Sequence, residues 1–195
     1  MIRVARVNAQ VDFPARFQLV AAMNPCPCGY LGHPERVCTD SPSAVARYQG
    51  RVSGPFLDRM DLVVPVHPLT REELANARDE DERGESSARV RERVEFARAR
   101  QRERLAGTAW TRNADIPASD RAIERLCPLT PDAQRLLGGL AARRNLSMRA
   151  LHRLRRVART LADLDPKLDP RAPIEAEALA LAARMRSLPD TLSGE

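Results

Sequence analysis

Residues 13–29 read Phe13-Pro-Ala-Arg-Phe-Gln-Leu-Val-Ala-Ala-Met-Asn-Pro-Cys-Pro-Cys-Gly29 and bear most directly on the fold. A nearly unbroken apolar run extends from Phe17 to Met23 and ends at Asn24-Pro25. A run of this kind is typical of a strand that is buried on both faces, as in a parallel sheet. Pro25 and the Cys-Pro-Cys-Gly sequence after it end this apolar run, because proline and glycine interrupt regular structure. The stretch therefore predicts a buried strand that leads into a cysteine-containing loop.

The segments on either side of this run predict few further strands. Residues 3–7 alternate loosely, and residues 62–66 form a second apolar segment that its own proline weakens. Between them, Ser41-Pro42 is a good helix start, and it predicts a helix of about three turns. Two strands and a hairpin are too few for an independent α/β sheet. The N-terminal third is therefore expected to be the back half of a larger domain.

The remainder of the chain is predicted to be helical. A long charged helix begins after Ser86, and its arginines and glutamates are expected to form ion pairs on a solvated face. Ser147 is predicted to cap a helix over 147–164, with one apolar stripe and with Arg149, Arg153 and Arg156 on the opposite side. Further helices are predicted over 119–127, 131–143 and about 173–187.

Composition limits the possible classes of protein. The 195 residues carry 30% charged side chains, a net charge of +6 and only 4% aromatic residues. No apolar run approaches the ~20 residues of a membrane-spanning helix, and the N-terminus lacks the apolar core of a signal peptide. A soluble cytoplasmic protein is expected. The positive charge is compatible with a polyanionic partner such as nucleotide or nucleic acid, whereas the low aromatic content argues against base stacking.

Three of the four cysteines lie close together in the sequence. Cys26, Cys28 and Cys38 fall within 13 positions, and Cys127 lies far from them. In a cytosolic protein, such clustering indicates a metal site before it indicates a disulfide. Cys127 is instead expected to be a small buried apolar side chain.

Three stretches, in this order, carry a family resemblance. They are residues 13–29 quoted above, Ser53-Gly-Pro-Phe-Leu-Asp-Arg-Met-Asp61, and Leu146-Ser-Met-Arg-Ala150 followed by Val157-Ala-Arg-Thr-Leu-Ala-Asp-Leu164. Together they resemble the C-terminal part of the magnesium-chelatase-like AAA+ ATPases of the ComM type, bacterial competence proteins similar to hexameric helicases. The resemblance covers nearly the whole chain and weakens after about residue 165.

The resemblance implies roles for three residues in ATP hydrolysis. Asn24 corresponds to sensor 1, Arg59 to the arginine finger that reaches the ATP of a neighbouring subunit, and Arg149 to sensor 2 on the lid. Residues 3–15 correspond to a hairpin that points toward a DNA channel. Taken without the resemblance, Asn24 is a turn residue, Arg59 pairs with Asp58 or Asp61, and Arg149 is a solvated arginine.

The phosphate-binding loop of such ATPases is absent from the sequence. There is no G-x-x-x-x-G-K-[ST] pattern, and no acidic strand end of the Walker B type precedes Asn24. In the family, both motifs lie upstream of the matched region. The resemblance therefore implies that this chain corresponds to part of a larger or split ATPase. The chain alone is expected to be inactive, and a missing N-terminal ATPase half is its expected partner.

The resemblance also suggests a fourth metal ligand. Many relatives carry a second C-x-C after the gap, which gives a four-cysteine set suited to tetrahedral zinc. In this sequence Asp40 stands at the fourth position, after Cys26, Cys28 and Cys38, and His33 is an alternative ligand. The remaining alternative is a loop that keeps its cysteines without a metal.

The expected fold is a partial α/β AAA+ core followed by an all-α lid. Residues 1–78 would form the C-terminal half of the core, residues 79–118 a linker with the long charged helix, and residues 119–195 the helical lid. The intact protein would be a hexameric ring that uses ATP and Mg²⁺ to move DNA in transformation or recombination. The alternatives are a chelatase subunit that inserts a metal into a tetrapyrrole, and a non-enzymatic adaptor that binds DNA or an ATPase ring.

Overall fold

A computed structural model describes residues 2–6, 9–15, 17–71, 73 and 84–186. The chain divides into two compact units, Met1–Tyr48 and Gln49–Glu195. The expected domain boundary at residue 78 lies outside the described residues, as does the expected helix end at residue 187. The boundaries of the three expected domains therefore stay predictions.

The first unit opens with an antiparallel hairpin. Strand β1 (Ile2–Arg6) pairs with strand β2 (Ala9–Phe13), and Val4 lies opposite Val11. Arg3 and Asp12 are also cross-strand partners, and their side chains pair at 2.8 Å. Both strands are exposed. The hairpin predicted over residues 3–15 is confirmed as a two-stranded element.

The two further predicted strands are wrong in the described structure. Residues 17–24 and 62–66 have no regular secondary structure and join no sheet. A strand needs neighbours for its backbone N–H and C=O groups, and among the described residues no other strand pairs with either segment, although the Val63 amide donates to the Met185 carbonyl at 2.7 Å. The apolar side chains that a sheet would bury are consequently exposed, with Val20 at 83% and Val66 at 89%.

Two short helices follow the cysteine loop. Helix α1 (Pro42–Gln49) begins after Ser41, whose hydroxyl accepts a hydrogen bond from the Ala44 amide at 3.3 Å. It ends before Gly50 and is therefore nearer two turns than the three predicted. Helix α2 (Gly54–Leu57) follows Ser53 and has a proline in its first turn, where the missing N–H is not needed.

Residues 87–184 of the second unit are mostly helical, as predicted. The longer helices are α3 (Ser87–Arg104), α4 (Asp120–Leu126), α5 (Pro131–Arg144), α6 (Met148–Leu164) and α7 (Ala176–Arg184), with a short 3₁₀ turn at Asn113–Asp115. Local signals set their ends. Ser86, Thr130 and Ser147 accept N-cap hydrogen bonds, and Asn145 ends α5 in the left-handed region at φ 47°.

Helix α6 forms the centre of this helical unit. Its buried face includes Ala150, Leu154 and Ala158, as the apolar stripe predicted. Other elements complete the core with Leu105, Ile116, Ile123, Cys127, Ile174 and Leu179. Cys127 is buried, as expected, but it lies at the C-terminal end of α4, where burial raises the pKa of its thiol to about 11.

A buried charge cluster joins α6 to α3. Asp163 is fully buried and accepts hydrogen bonds from Arg104 at 2.8 Å and from Asn113 at 2.8 Å, while the Arg159 Nε lies 3.3 Å from its carboxylate. Arg100 donates to the Asp163 backbone carbonyl at 3.2 Å. The expectation that the charges of α3 lie on a solvated face is therefore wrong for Arg100 and Arg104.

The described helices differ from membrane-spanning helices. None combines the length and the apolar character that a membrane span requires.

Candidate functional site

The cysteine loop brings four potential metal ligands together. The Sγ atom of Cys28 lies 3.3 Å from that of Cys26 and 3.5 Å from that of Cys38, and the Cys26 and Cys38 sulfurs are 3.7 Å apart. Asp40 Oδ2 lies 3.7 Å from the Cys38 sulfur. The four ligand atoms all fall within 4.8 Å of one another. These are the four residues that the sequence singled out.

The spacing of these atoms fits tetrahedral coordination. Zn–S bonds of about 2.3 Å place two sulfur ligands ~3.8 Å apart in a tetrahedron. The observed sulfur separations, 3.3 to 3.7 Å, are slightly shorter than that edge. The loop also supplies backbone support, because the Leu31 amide donates to the Cys26 sulfur at 3.4 Å and the Cys28 amide donates to Asp40 at 2.8 Å.

The alternative ligand, His33, lies outside this cluster. Its Nδ1 atom accepts hydrogen bonds from the Glu35 amide at 3.0 Å and from the Arg36 amide at 3.1 Å, and its ring packs edge-on against Tyr30. The ring nitrogen that faces the loop backbone is therefore engaged in a turn. The geometry favours Asp40 as the fourth ligand.

The acidities within the cluster differ. Asp40 is held in its ionised form, because hydrogen bonds from the Cys28 side chain and amide lower its pKa. The carboxylate in turn raises the pKa of the Cys28 thiol, but the amides of Tyr30 and Thr39 and the Cys26 thiol outweigh this effect, so that the net pKa falls. At Cys38 the Asp40 amide lowers the pKa, yet desolvation and the two neighbouring sulfurs raise it to about 11.

Asn24 lies immediately before this cluster. It is exposed, and it follows the segment 17–23 that was expected to be a strand. A Cβ atom added at Gly29, whose φ is +83°, would lie 4.0 Å from the Asn24 side-chain nitrogen. The first unit therefore presents Asn24 and the four-ligand cluster from neighbouring positions in one loop.

Arg59 is exposed and points away from its acidic neighbours. Its guanidinium donates to the Pro55 carbonyl at 2.6 Å, one turn earlier in the chain. Asp58 pairs with Arg186 at 2.8 Å, and Asp61 lies 3.6 Å from Arg153. The ion pair between Arg59 and Asp58 or Asp61, considered as an alternative, is therefore not formed among the described residues, because both acids face other arginines.

Arg149 lies in the first turn of α6 and is exposed. Ser147 caps this helix by accepting from the Ala150 amide at 3.2 Å. A cation is unfavourable at a helix N-terminus, where the free amides attract anions. Among the described residues, no acidic side chain forms a salt bridge with Arg149. The guanidinium and the helix end together provide positive charge toward solvent.

Two arginines that the sequence analysis did not select hold the loop that carries Arg59. Arg153 donates to the Arg59 carbonyl, and to the Asp58 carbonyl at 3.3 Å. Arg186 donates to the Asp58 carbonyl at 2.9 Å and to its carboxylate at 2.8 Å. Arg156, which was predicted to lie with Arg153 opposite the apolar stripe, also binds carbonyls, those of Ala114 and Ile116.

Two family profiles match consecutive parts of this chain. The profile described as magnesium chelatase, subunit ChlI, matches residues 1–74. The profile described as magnesium chelatase, subunit ChlI C-terminal, matches residues 84–186, which is more than half of the chain. The order of the two matches agrees with the resemblance found in the sequence motifs.

Curated relatives are similar over most of the chain. The competence protein ComM of Haemophilus influenzae is 44% identical over 188 residues, which is 96% of this chain and 35% of that protein. The uncharacterized protein YifB of Escherichia coli is 42% identical over 165 residues, 84% of this chain and 30% of its own length. YifB of Salmonella typhimurium is 39% identical over 164 residues, which is 84% of this chain and 30% of that protein. The chain spans about a third of the length of these relatives.

Proposed function

Since the chain belongs to the magnesium chelatase subunit ChlI family and is of the ComM type, we propose that it supplies the sensor and arginine-finger part of an AAA+ ATPase. In this proposal Asn24 is sensor 1, Arg59 is the finger and Arg149 is sensor 2. The P-loop and the acid that holds Mg²⁺ belong to the N-terminal ATPase half, which in the family lies upstream of the matched region. Residues 1–195 alone are inactive in ATP hydrolysis, because no phosphate-cradling loop is present in their sequence.

The arrangement around Arg59 is the observation that carries this proposal. An arginine finger must present an unneutralised guanidinium at the surface of its own subunit, where it can reach a neighbour's ATP. Arg59 is exposed, and its adjacent acids are engaged by Arg186 and Arg153. The one described hydrogen bond of its side chain is to the Pro55 carbonyl of its own short helical turn. Arg59→Ala in the complete ATPase is the direct test.

The three residues act on different parts of the hydrolysis reaction. The Asn24 amide orients the attacking water toward the γ-phosphate. Arg149 binds phosphate oxygens from the lid, where its charge adds to that of a helix N-terminus. Arg59 stabilises the charge that spreads over the transferred phosphoryl group in the transition state. When bound by the N-terminal ATPase half, Mg²⁺ would supply further neutralisation of phosphate charge.

An arginine finger that acts on a neighbouring subunit requires an oligomer. We therefore include a homo-oligomeric ring, hexameric as in the helicases that the family resembles, in the proposal. DNA is the proposed substrate of the motor, in translocation or branch migration during natural transformation or recombination. The support is the 44% identity to a competence protein and the exposed hairpin β1–β2, which contains Arg3 and Arg6. The Cys-Pro-Cys loop favours this branch of the family over a subunit that inserts a metal into a tetrapyrrole.

Arg149→Ala is expected to raise the KM for ATP of the complete ATPase about tenfold, because one charged hydrogen bond to phosphate is lost. Steady-state kinetics and nucleotide titration measure this change. Thermal unfolding of residues 1–195 should be nearly unaffected, since the side chain is exposed and the apolar face of α6 is untouched. A lowered unfolding temperature together with unchanged ATP affinity would instead assign Arg149 a structural role.

We also propose that the cysteine loop binds zinc through Cys26, Cys28, Cys38 and Asp40. Purified protein is expected to contain about one zinc per chain by elemental analysis. Cys38→Ser should release the metal, and Asp40→Cys should bind it more tightly, because thiolate is the softer ligand. His33→Ala is the matched control and should keep the full zinc content. Metal-free protein whose three loop thiols all react freely would contradict zinc binding.

A further inference from the structure

The loop that carries Arg59 is attached to the lid through its backbone. The guanidinium of Arg153 donates to two consecutive carbonyls of this loop, those of Asp58 and Arg59. Its side chain is only 13% exposed, so these bonds form with little competition from water. A charged donor that binds carbonyls on both sides of the Arg59 Cα atom restricts the direction in which the Arg59 side chain can leave the loop.

Two further contacts tie the same loop to the end of α7. Arg186 donates to both the backbone carbonyl and the carboxylate of Asp58, at 2.9 and 2.8 Å. Beyond the loop, the Val63 amide donates to the Met185 carbonyl at 2.7 Å. The loop is therefore fixed at several points to the ends of two lid helices.

The position of Arg153 on α6 links these contacts to the nucleotide. Arg153 lies four residues after Arg149, so the two side chains project from the same face of the helix one turn apart. Arg149 is exposed in the first turn of α6, and one turn later Arg153 binds the loop that carries Arg59. A shift of α6 would move both groups together.

We propose that Arg153, assisted by Arg186, is a positioning residue for Arg59, and that α6 thereby couples phosphate binding by Arg149 to the reach of Arg59 into the neighbouring subunit. This inference rests on the proposed roles of Arg59 and Arg149. It adds that the finger and sensor 2 move together. The reason is that α6 carries Arg149 and also binds the backbone beside Arg59.

The chain offers a matched control in Arg156. This arginine lies on the same helix, is half-buried, and also donates to two backbone carbonyls, those of Ala114 at 3.2 Å and Ile116 at 2.9 Å. These two carbonyls lie in and beside the 3₁₀ turn, and not in the loop that carries Arg59. Arg156→Met therefore removes the same kind of interaction without releasing Arg59.

The test compares ATP turnover in the complete ATPase, meaning residues 1–195 together with the P-loop half. Arg153→Met is expected to lower kcat about tenfold with little change in KM, because a charged hydrogen bond that orients a transition-state contact is lost. Arg156→Met should keep kcat near the wild-type value. Arg153→Lys, which retains one charged donor, should restore part of the lost rate.

The double variant Arg59→Ala/Arg153→Met separates positioning from a general structural effect. If Arg153 acts through Arg59, the double variant is no slower than Arg59→Ala alone. A further drop below the Arg59→Ala rate would overturn the inference, as would a normal kcat for Arg153→Met or an effect on KM alone. The proposed function fails separately, through normal turnover by Arg59→Ala itself.

Hydrogen exchange on residues 1–195 gives a readout that needs no ATP. The amides of Asp58, Arg59 and Met60 bond to carbonyls within their own turn at 2.8 to 2.9 Å. Arg153→Met should speed their exchange, because the turn loses its anchor to α6, and Arg156→Met should not. Equal exchange in both variants and the wild-type chain would contradict the anchoring role.

Discussion

Arg59→Ala is expected to lower ATP turnover of the complete ATPase by about a thousandfold or more, which is the effect of removing a finger from a phosphoryl-transfer site. The physical reason is that a finger contributes charge where charge accumulates in the transition state, so the loss of one affects kcat far more than nucleotide binding. The measurement is steady-state ATP hydrolysis with a parallel titration of nucleotide affinity.

Arg51→Ala provides a control for this variant. Arg51 is also exposed and lies eight residues before Arg59, outside the turn that presents it. Its removal changes net charge by the same amount and should leave turnover near wild type. Hydrolysis by Arg59→Ala at the rate of the Arg51→Ala control would mean that Arg59 is a surface arginine without a role in the reaction.

Asp163→Ala is expected to lower the free energy of unfolding of the chain by about 3–5 kcal/mol. The carboxylate is fully buried and accepts from Arg104 and Asn113, with Arg159 also in ion-pair distance. Its removal leaves two guanidinium groups buried without an opposing charge. Urea unfolding, monitored by the circular dichroism of the helical unit, measures the difference in unfolding free energy between the variant and the wild type.

Asp132→Ala provides the exposed counterpart. Asp132 pairs with Arg135 on the surface of α5, where both side chains are more than two-thirds exposed. A solvated pair of this kind contributes at most about 1 kcal/mol. If Asp163→Ala costs no more than Asp132→Ala, the buried cluster does not stabilise the helical unit in the way its contacts indicate.

The helices of the second unit were predictable from the sequence because their signals are local. The Ser147 cap and the apolar stripe of α6 lie within one segment, and the helix is observed over Met148–Leu164 against a predicted 147–164. Helix propensity, caps and apolar periodicity all agree over this segment, so tertiary contacts did not need to override any of them.

The strands predicted over residues 17–23 and 62–66 show the limit of the same reasoning. Apolar content indicates that a segment would be stable in a buried strand, but the strand itself exists only when a neighbour supplies its hydrogen bonds. Among the described residues, neither segment pairs with another strand. The prediction therefore identified segments that are suited to a buried strand, but these segments do not form strands in this structure.

The candidate sites were predictable to different degrees. The spacing of Cys26, Cys28 and Cys38 indicated a common site, and the structure brings them together with Asp40. Spacing alone could not choose between Asp40 and His33, because that choice depends on the turn in which His33 accepts two backbone amides. The roles of Asn24, Arg59 and Arg149 came from the family resemblance, and they stay predictions.

The functions of the buried arginines could not be read from the sequence. Arg153 binds a loop more than ninety residues earlier, and Arg104 pairs with an acid 59 residues later. No local pattern distinguishes such an arginine from a solvated one, since both stand among charged residues on a helix. The only local hint was the spacing of Arg149 and Arg153, which puts both on one face of α6.

The most direct measurement of the proposed function mixes two inactive forms of the complete ATPase. One form carries Arg59→Ala with an intact P-loop, and the other carries a substituted P-loop lysine with an intact Arg59. A finger that acts across the subunit interface should restore ATP turnover in the mixture, because intact P-loops then face intact fingers from neighbouring subunits. Turnover in the mixture that stays as low as in each form alone would contradict the assignment of Arg59 as a finger acting between subunits.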